Sequence, residues 1–220
     1  MPRPLLQIAL DLIDLKKALE LARVLVENNV DIVEAGTPLL YAHGVRNVIP
    51  KLRQIVGDRS LISADLKISD AGALSSKIAF EHEADIVSVI GVASEKTILD
   101  ALDTAKEYGG QVMVDLICSK NLVDDALKAL KLGADYVLVH VGLDQQSSGV
   151  KVVDRLERIG GIIPPKKLAV AGGITPQNAH VVLKYNPAIM IVGGAVYRSP
   201  NPAEVLRKLK EIIQLSGSDQ

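Results

Sequence analysis

The chain has 220 residues, 48% of them hydrophobic, enough for one large domain or two small ones. Its 25 basic and 26 acidic residues nearly cancel and only 3% of residues are aromatic, so neither a basic stripe nor stacking platforms point to nucleic acid. A single cysteine excludes an internal disulfide framework, no uncharged run approaches the roughly 20 residues of a membrane span, and the apolar start "PLLQIALDLI" is broken by Asp11 and lacks a cleavage pattern. These features predict a soluble, cytoplasmic protein.

Short apolar runs follow one another at a regular pitch. They are "LLQIALD" from Leu5, "DIVEAG" from Asp31, "LISADLK" from Leu61, "DIVSVIG" from Asp85, "QVMVDLI" from Gln111, "DYVLVHVG" from Asp135, "KLAVAGG" from Lys167 and "AIMIVGG" from Ala188. Between them, segments such as "LKKALELARVLVENN" and "SEKTILDALDTAKEYGG" repeat their apolar residues at three and four, the helical spacing. Thr175-Pro176 and Asn201-Pro202 read as N-caps followed by proline at the first helical position, with Glu204 placed for a capping box. Three junctions, "NNVDIV", "HEADIV" and "LGADYV", form a weak internal repeat spaced like successive β/α units. Eight strands alternating with eight helices predict a single (β/α)8 TIM barrel over residues 1–220, with 215–220 a frayed tail. An open doubly wound sheet is the alternative, but "ALDLIDL" carries no Gly-rich fingerprint after the first strand.

In such barrels the active site lies at the C-terminal ends of the strands, and there the polar residues collect. Strand one ends in Asp11, with Gln7 and Ala9 on the same face. Strand two carries Glu34, strand three Asp65 and Lys67, strand five Asp115 and strand six His140. Acids crowded at one mouth repel unless something neutralises them, and oxygen donors without cysteine favour a hard cation such as Mg²⁺. Strands seven and eight end in "AGGI" and "VGGAV", where Gly172, Gly173, Gly193 and Gly194 leave backbone N–H groups open to a phosphate. Each feature has a plainer reading. Asp65 and Lys67 could be a structural ion pair, His140 a hydrogen-bonded core histidine, Asp11 and Asp115 partners of nearby groups, and the glycine pairs tight turns. His43, His82 and His180 read as solvated surface, Cys118 as a small buried hydrophobe, and the methionines as core.

The stretch "DLKISD" fits the D-x-K-x-x-D motif of the orotidine 5′-phosphate decarboxylase superfamily. With "LQIALD", "DIVEAGTPLL", "VHVGLDQQSSG", "VAGGI" and "IVGGAV" in order, the chain resembles the 3-hexulose-6-phosphate synthase branch from about Leu6 to the last helix. The sister 3-keto-L-gulonate 6-phosphate decarboxylases have arginine at the positions of Leu143 and Gly194 and glutamate at that of Asp115; the chain departs from them at all three. Leu143 is also a small departure from the synthases, which more often carry an aromatic residue there. The alternative activity is that of the sister decarboxylases or of another sugar-phosphate lyase of the superfamily.

The resemblance implies an Mg²⁺-dependent aldolase that joins formaldehyde to D-ribulose 5-phosphate through an enediolate. It implies Glu34 and Asp65 as metal ligands, Lys67 as a charge beside the reacting oxygens, and His140 as the group exchanging a proton with the enediolate carbon. Asp11 would contact the substrate chain, and the four glycines would grip phosphate. Asp70 would act across a homodimer interface in the partner's site. The small residues Ala71, Gly72 and Ala73 beside it suit the close approach of another backbone. The plainer role for Asp70 is a helix cap.

Overall fold

The computed structural model describes residues 3–159 and 161–218. Eight parallel strands pair in chain order and β8 closes on β1: β1 Leu5–Leu10, β2 Ile32–Ala35, β3 Leu61–Ile68, β4 Ile86–Ile90, β5 Gln111–Asp115, β6 Tyr136–His140, β7 Leu168–Ala171 and β8 Ile189–Val192. All eight apolar runs are therefore strands of one (β/α)8 barrel. Their alternation divides the core in two. Leu6, Ile8, Leu10, Val33, Val87 and Val114 face outward against the helices, while Ala9, Ile32, Ile86, Met113, Leu138 and Ile189 fill the barrel interior.

Among the described residues the α-helices number eleven rather than eight. In order they are α1 Leu15–Glu27, α2 Thr37–His43, α3 Val45–Val56, α4 Gly72–Phe80, α5 Glu95–Tyr108, α6 Leu122–Leu132, α7 Leu143–Ser147, α8 Val152–Ile159, α9 Ala179–Leu183, α10 Gly194–Tyr197 and α11 Pro202–Ser218. The extra three, α2, α7 and α10, are short helices of seven, five and four residues after strands β2, β6 and β8. They build the rim of the mouth and bury too few apolar residues to show a helical period.

The weak repeat has a physical cause. Asp31, Asp85 and Asp135 each precede an even-numbered strand and accept the backbone N–H of the strand before, from Leu6 at 2.8 Å, Ile62 at 2.6 Å and Val112 at 2.8 Å. Each carboxylate satisfies an entry N–H that the ladder leaves open at the N-terminal end of the barrel.

Several local expectations need correction. The segment at Thr175 makes a turn before α9 begins at Ala179, because the Asn178 side chain takes the Thr175 N–H and Pro176 lies in that turn. At α11 the Asn201 side chain accepts the Glu204 N–H at 3.3 Å, but the Asn201 N–H goes to Ser199 Oγ, so the box is not reciprocal. Residues expected to fray from 215 stay helical to Ser218, held by the buried stripe Leu206, Leu209 and Ile213; 219 and 220 lie outside the described residues. Cys118 is exposed, since it sits past the end of β5, where strand alternation no longer places side chains in the core. His180 is exposed, whereas His43 and His82 are half-buried against the carbonyls of Ile13 and Ile78. Met113 and Met190 are core; Met1 lies outside the described residues.

Candidate active site

A cavity of about 430 Å³ opens over the C-terminal ends of the strands. Asp11, Glu34, Asp65, Lys67 and His140 line it, together with Gly172, Gly173, Gly193 and Gly194. Of the residues singled out from sequence at the strand ends, Asp115 lies buried behind the cavity wall and Asp70 is left outside it. Asp70 is exposed and, among the described residues, makes no side-chain hydrogen bond or ion pair. The capping role fails: the residue before α4 is Ala71, in the left-handed region at φ +52°, and no side chain caps that helix. Gly72 is small for a reason within the chain, because a Cβ there would run into the Thr97 carbonyl of α5. The expected approach of a second backbone at Gly72 is thereby corrected; Ala71, Ala73 and Leu74 remain exposed beside it.

Lys67 reaches the cavity by a route that alternation does not describe. Ala64 pairs with Val87 and Ile68 with Val89, so Asp65, Leu66 and Lys67 stand opposite Ser88 alone. Lys67 adopts φ +47°, a conformation unusual for a residue with a Cβ. The buried Ser88 hydroxyl fills the bulge: it accepts the Lys67 N–H at 2.8 Å and donates to Asp65 Oδ1 at 2.7 Å. Asp65 Oδ2 accepts Lys67 Nζ at 2.7 Å and Thr37 Oγ1 at 2.8 Å.

Asp115 is the second hub. It is fully buried, and its Oδ1 accepts the Ile117 N–H at 2.9 Å. Its Oδ2 lies 2.9 Å from His140 Nδ1 and 3.3 Å from Lys67 Nζ. A carboxylate can only accept, so Nδ1 carries the proton and Nε2 keeps its lone pair for the cavity. Arg155 of α8 clamps the same strand ends, donating to the carbonyls of His140 at 2.7 Å and Leu116 at 3.0 Å. Gln7 Nε2 donates to Glu34 Oε2 at 2.6 Å, and among the described residues its buried Oε1 has no partner.

The charges are unevenly matched. Burial, then the charges of Asp65 and Asp11, hold the Glu34 carboxyl well above its ordinary range; burial and Asp65 raise Asp11 likewise. For Asp115, burial pushes up, but the charge and hydrogen bond of His140 and the charge of Lys67 prevail and hold it low. Burial would lower Lys67, yet the charges of Asp65 and Asp115 outweigh it and keep the ammonium. Asp65 and Asp115 are thus served by one lysine, and Glu34 and Asp11 carry the unmatched charge.

At the opposite wall, Gly172 has φ +116°, and a Cβ there would collide with the Val141 carbonyl. The tight-turn reading therefore holds for this residue, and it lines the cavity as well.

Residues 4–209 match the model of the orotidine 5′-phosphate decarboxylase / HUMPS family. The chain belongs to that family. Among the family's curated members, "3-hexulose-6-phosphate synthase 2" of Staphylococcus saprophyticus is 38% identical over 208 residues, covering 94% of this chain and 96% of that protein. The crystal structure of 3-hexulose-6-phosphate synthase from Salmonella typhimurium superposes with a TM-score of 0.90 at 36% identity, covering 96% and 99% of the two chains. That of 3-keto-L-gulonate-6-phosphate decarboxylase from Vibrio cholerae superposes at 0.84 with 26% identity, covering 97% and 99%. Like these members of the family, the chain is an enzyme.

Ser88, Thr37 and Arg155 were not singled out from sequence. Ser88 had a signal, a lone hydroxyl at an inward position of an apolar strand. Thr37 and Arg155 had none, because their contacts are to carbonyls and carboxylates far away in the chain.

Proposed function

We propose that the chain is an Mg²⁺-dependent aldolase condensing formaldehyde with D-ribulose 5-phosphate to D-arabino-hex-3-ulose 6-phosphate, reversibly, in the cytoplasm. The observation that carries the reading is the shared Asp115 Oδ2, which joins His140 Nδ1 and Lys67 Nζ at one wall of the cavity. The names of the most similar relatives support the choice of substrates.

His140 Nε2 removes a C1 proton from ribulose 5-phosphate, leaving an enediolate whose C1 attacks the carbon of formaldehyde. The proton returns to the alkoxide formed on the former aldehyde oxygen, so the carbon skeleton gains one carbon and the ketone becomes C3. Lys67, half-buried and held charged between two carboxylates, faces the developing negative charge. It stays an ammonium, and no Schiff base is required. Asp11 orients the substrate hydroxyls, and the backbone at Gly172, Gly173, Gly193 and Gly194 holds the phosphate.

The donor set fits Mg²⁺ through the unmatched, all-oxygen charge of Glu34 beside Asp65. Among the described residues no three acidic, histidine or cysteine groups converge on one point, so Glu34 and Asp65 would hold the ion with oxygen ligands from outside the chain. Bound there, the ion would supply positive charge to the enediolate oxygens.

The enzyme works as a homodimer in which Asp70 serves the partner's site. Its exposure, and its absence from the lining of its own cavity, support this assignment. So do the exposed Ile13, Tyr41 and Leu74, which follow strands β1, β2 and β3 on the same rim.

Formaldehyde consumption with ribulose 5-phosphate, measured with Mg²⁺ and in chelator, tests the reaction and the metal. Carbon dioxide release from 3-keto-L-gulonate 6-phosphate without formaldehyde consumption would make it a decarboxylase. Mixing Asp70→Ala with Lys67→Ala under subunit exchange should restore activity to about a quarter of all sites. No recovery after verified exchange would put Asp70 in its own chain's chemistry.

A further inference from the structure

We propose that Arg198, at the end of α10, is the cation that binds the substrate's phosphate. This rests on the sugar-phosphate reading above. A phosphomonoester carries close to two negative charges at neutral pH, and its approach must be matched by positive charge or strong donors. The cavity wall already holds Asp11, Glu34 and Asp65. Among the described residues, its lysine and arginine side chains are Lys67 and Arg198. Lys67 is committed, ion-paired to Asp65 at 2.7 Å and Asp115 at 3.3 Å. Arg198 makes no ion pair among the described residues; its Nη2 donates to the Tyr197 hydroxyl at 3.2 Å and its Cζ lies 5.3 Å from that ring's centroid. Tyr197 thus fixes the guanidinium plane while leaving other N–H groups unspent.

The placement is specific. Nε and Cζ of Arg198 would stand 3.7 and 3.8 Å from a Cβ built on Gly194, so the guanidinium lies directly beside the glycine loop that follows β8. A side chain at 194 would share that space; glycine leaves it to the arginine. Arg198 is also close enough for its charge to act on Asp11, against the burial that raises that carboxyl. A dianion seated at the β7 and β8 loops would lie near Asp11, and the guanidinium offsets the repulsion. Backbone N–H groups can orient phosphate oxygens, but Arg198 brings the full charge and a two-pronged donor.

The test compares wild type, Arg198→Gln and Arg198→Lys by titration calorimetry with Mg²⁺ present, using D-ribulose 5-phosphate and, separately, inorganic phosphate. Arg198→Gln should weaken both ligands by about tenfold or more, as loss of a charge-assisted hydrogen bond does. Arg198→Lys should recover part of the loss, since it restores charge without the fork. The KM for ribulose 5-phosphate should rise by a larger factor than kcat falls, and its dependence on salt should flatten. The side chain is exposed, so melting curves should match wild type. Unchanged inorganic phosphate affinity in a folded Arg198→Gln overturns the proposal, as does equal loss in the lysine variant. If wild type binds inorganic phosphate through Arg198 yet neither binds nor turns over ribulose 5-phosphate, the substrate reading fails and Arg198 stands.

Discussion

At the N-terminal end of the barrel, Asp31, Asp85 and Asp135 stand apart, each with a strand N–H to accept and two of them with an arginine, Arg3 or Arg53. At the C-terminal end, Asp11, Glu34, Asp65 and Asp115 crowd around one lysine, and two of the four are pushed up in pKa. The first arrangement satisfies each acid locally and serves the fold. The second leaves charge unmatched in a buried mouth, which favours folding little but binds cations and stabilises developing charge. Position along the strand, rather than residue type, separates structural from chemical acids.

The comparison breaks most sharply at His140. His140→Asn should lower kcat by about 10³-fold and stop exchange of the C1 proton of ribulose 5-phosphate with deuterated solvent, followed by NMR without formaldehyde. Exchange at the wild-type rate would transfer the base role to another residue of the mouth.

Ser88 tests whether the bulge belongs to the chemical end. Ser88→Ala removes the hydroxyl that holds both the Lys67 backbone and Asp65, and should cost about tenfold or more in kcat/KM. Ser88→Thr keeps the hydroxyl and should restore most of the activity. Equal losses in steady-state assays of the two variants would make the site's role one of packing alone.

At the other end, Asp135→Ala should do the reverse. It strands the buried Val112 N–H, so urea unfolding should show a loss of about 1–3 kcal/mol while kcat stays within about twofold of wild type. A large loss of kcat in the folded variant would erase the division between the two ends.

The smallest effect is on pH dependence. Glu34 titrates above the ordinary range in the fold, so between about 4.3 and its raised value the folded chain holds a proton the unfolded chain has lost. Without metal, stability therefore falls as pH rises through that window and stays reduced above it. In chelator, Glu34→Gln should melt a few degrees above wild type near pH 8, and the two curves should converge near pH 4, by calorimetry. A lower Tm for the variant at pH 8 would mean that Glu34 is better matched than its neighbours imply.

Much of this was legible in the chain. The eight strands and most of the cavity-lining acids and the histidine follow from alternation, because a barrel strand must put apolar groups toward the helices at every second residue. Lys67 was named correctly, but it arrives through a bulge that alternation does not describe. The glycine pairs at the ends of β7 and β8 were visible for the same reason. What was not legible depends on contacts between distant segments. Cys118 looked like core by type and is exposed by position. Gly72 looked like room for a partner and is room for Thr97.

The sequence by itself determined the barrel, the face each strand turns inward and the chemistry assembled at its mouth, since period and residue type are local properties that survive any packing detail. Only the tertiary structure decided which acid is matched and which is not. Lys67 enters through a bulge whose geometry depends on Ser88 of the next strand. Asp115 becomes the link between Lys67 and His140 only when β3, β5 and β6 converge. Electrostatic roles follow distances of a few ångströms between residues tens of positions apart, and those distances exist only once the barrel has closed.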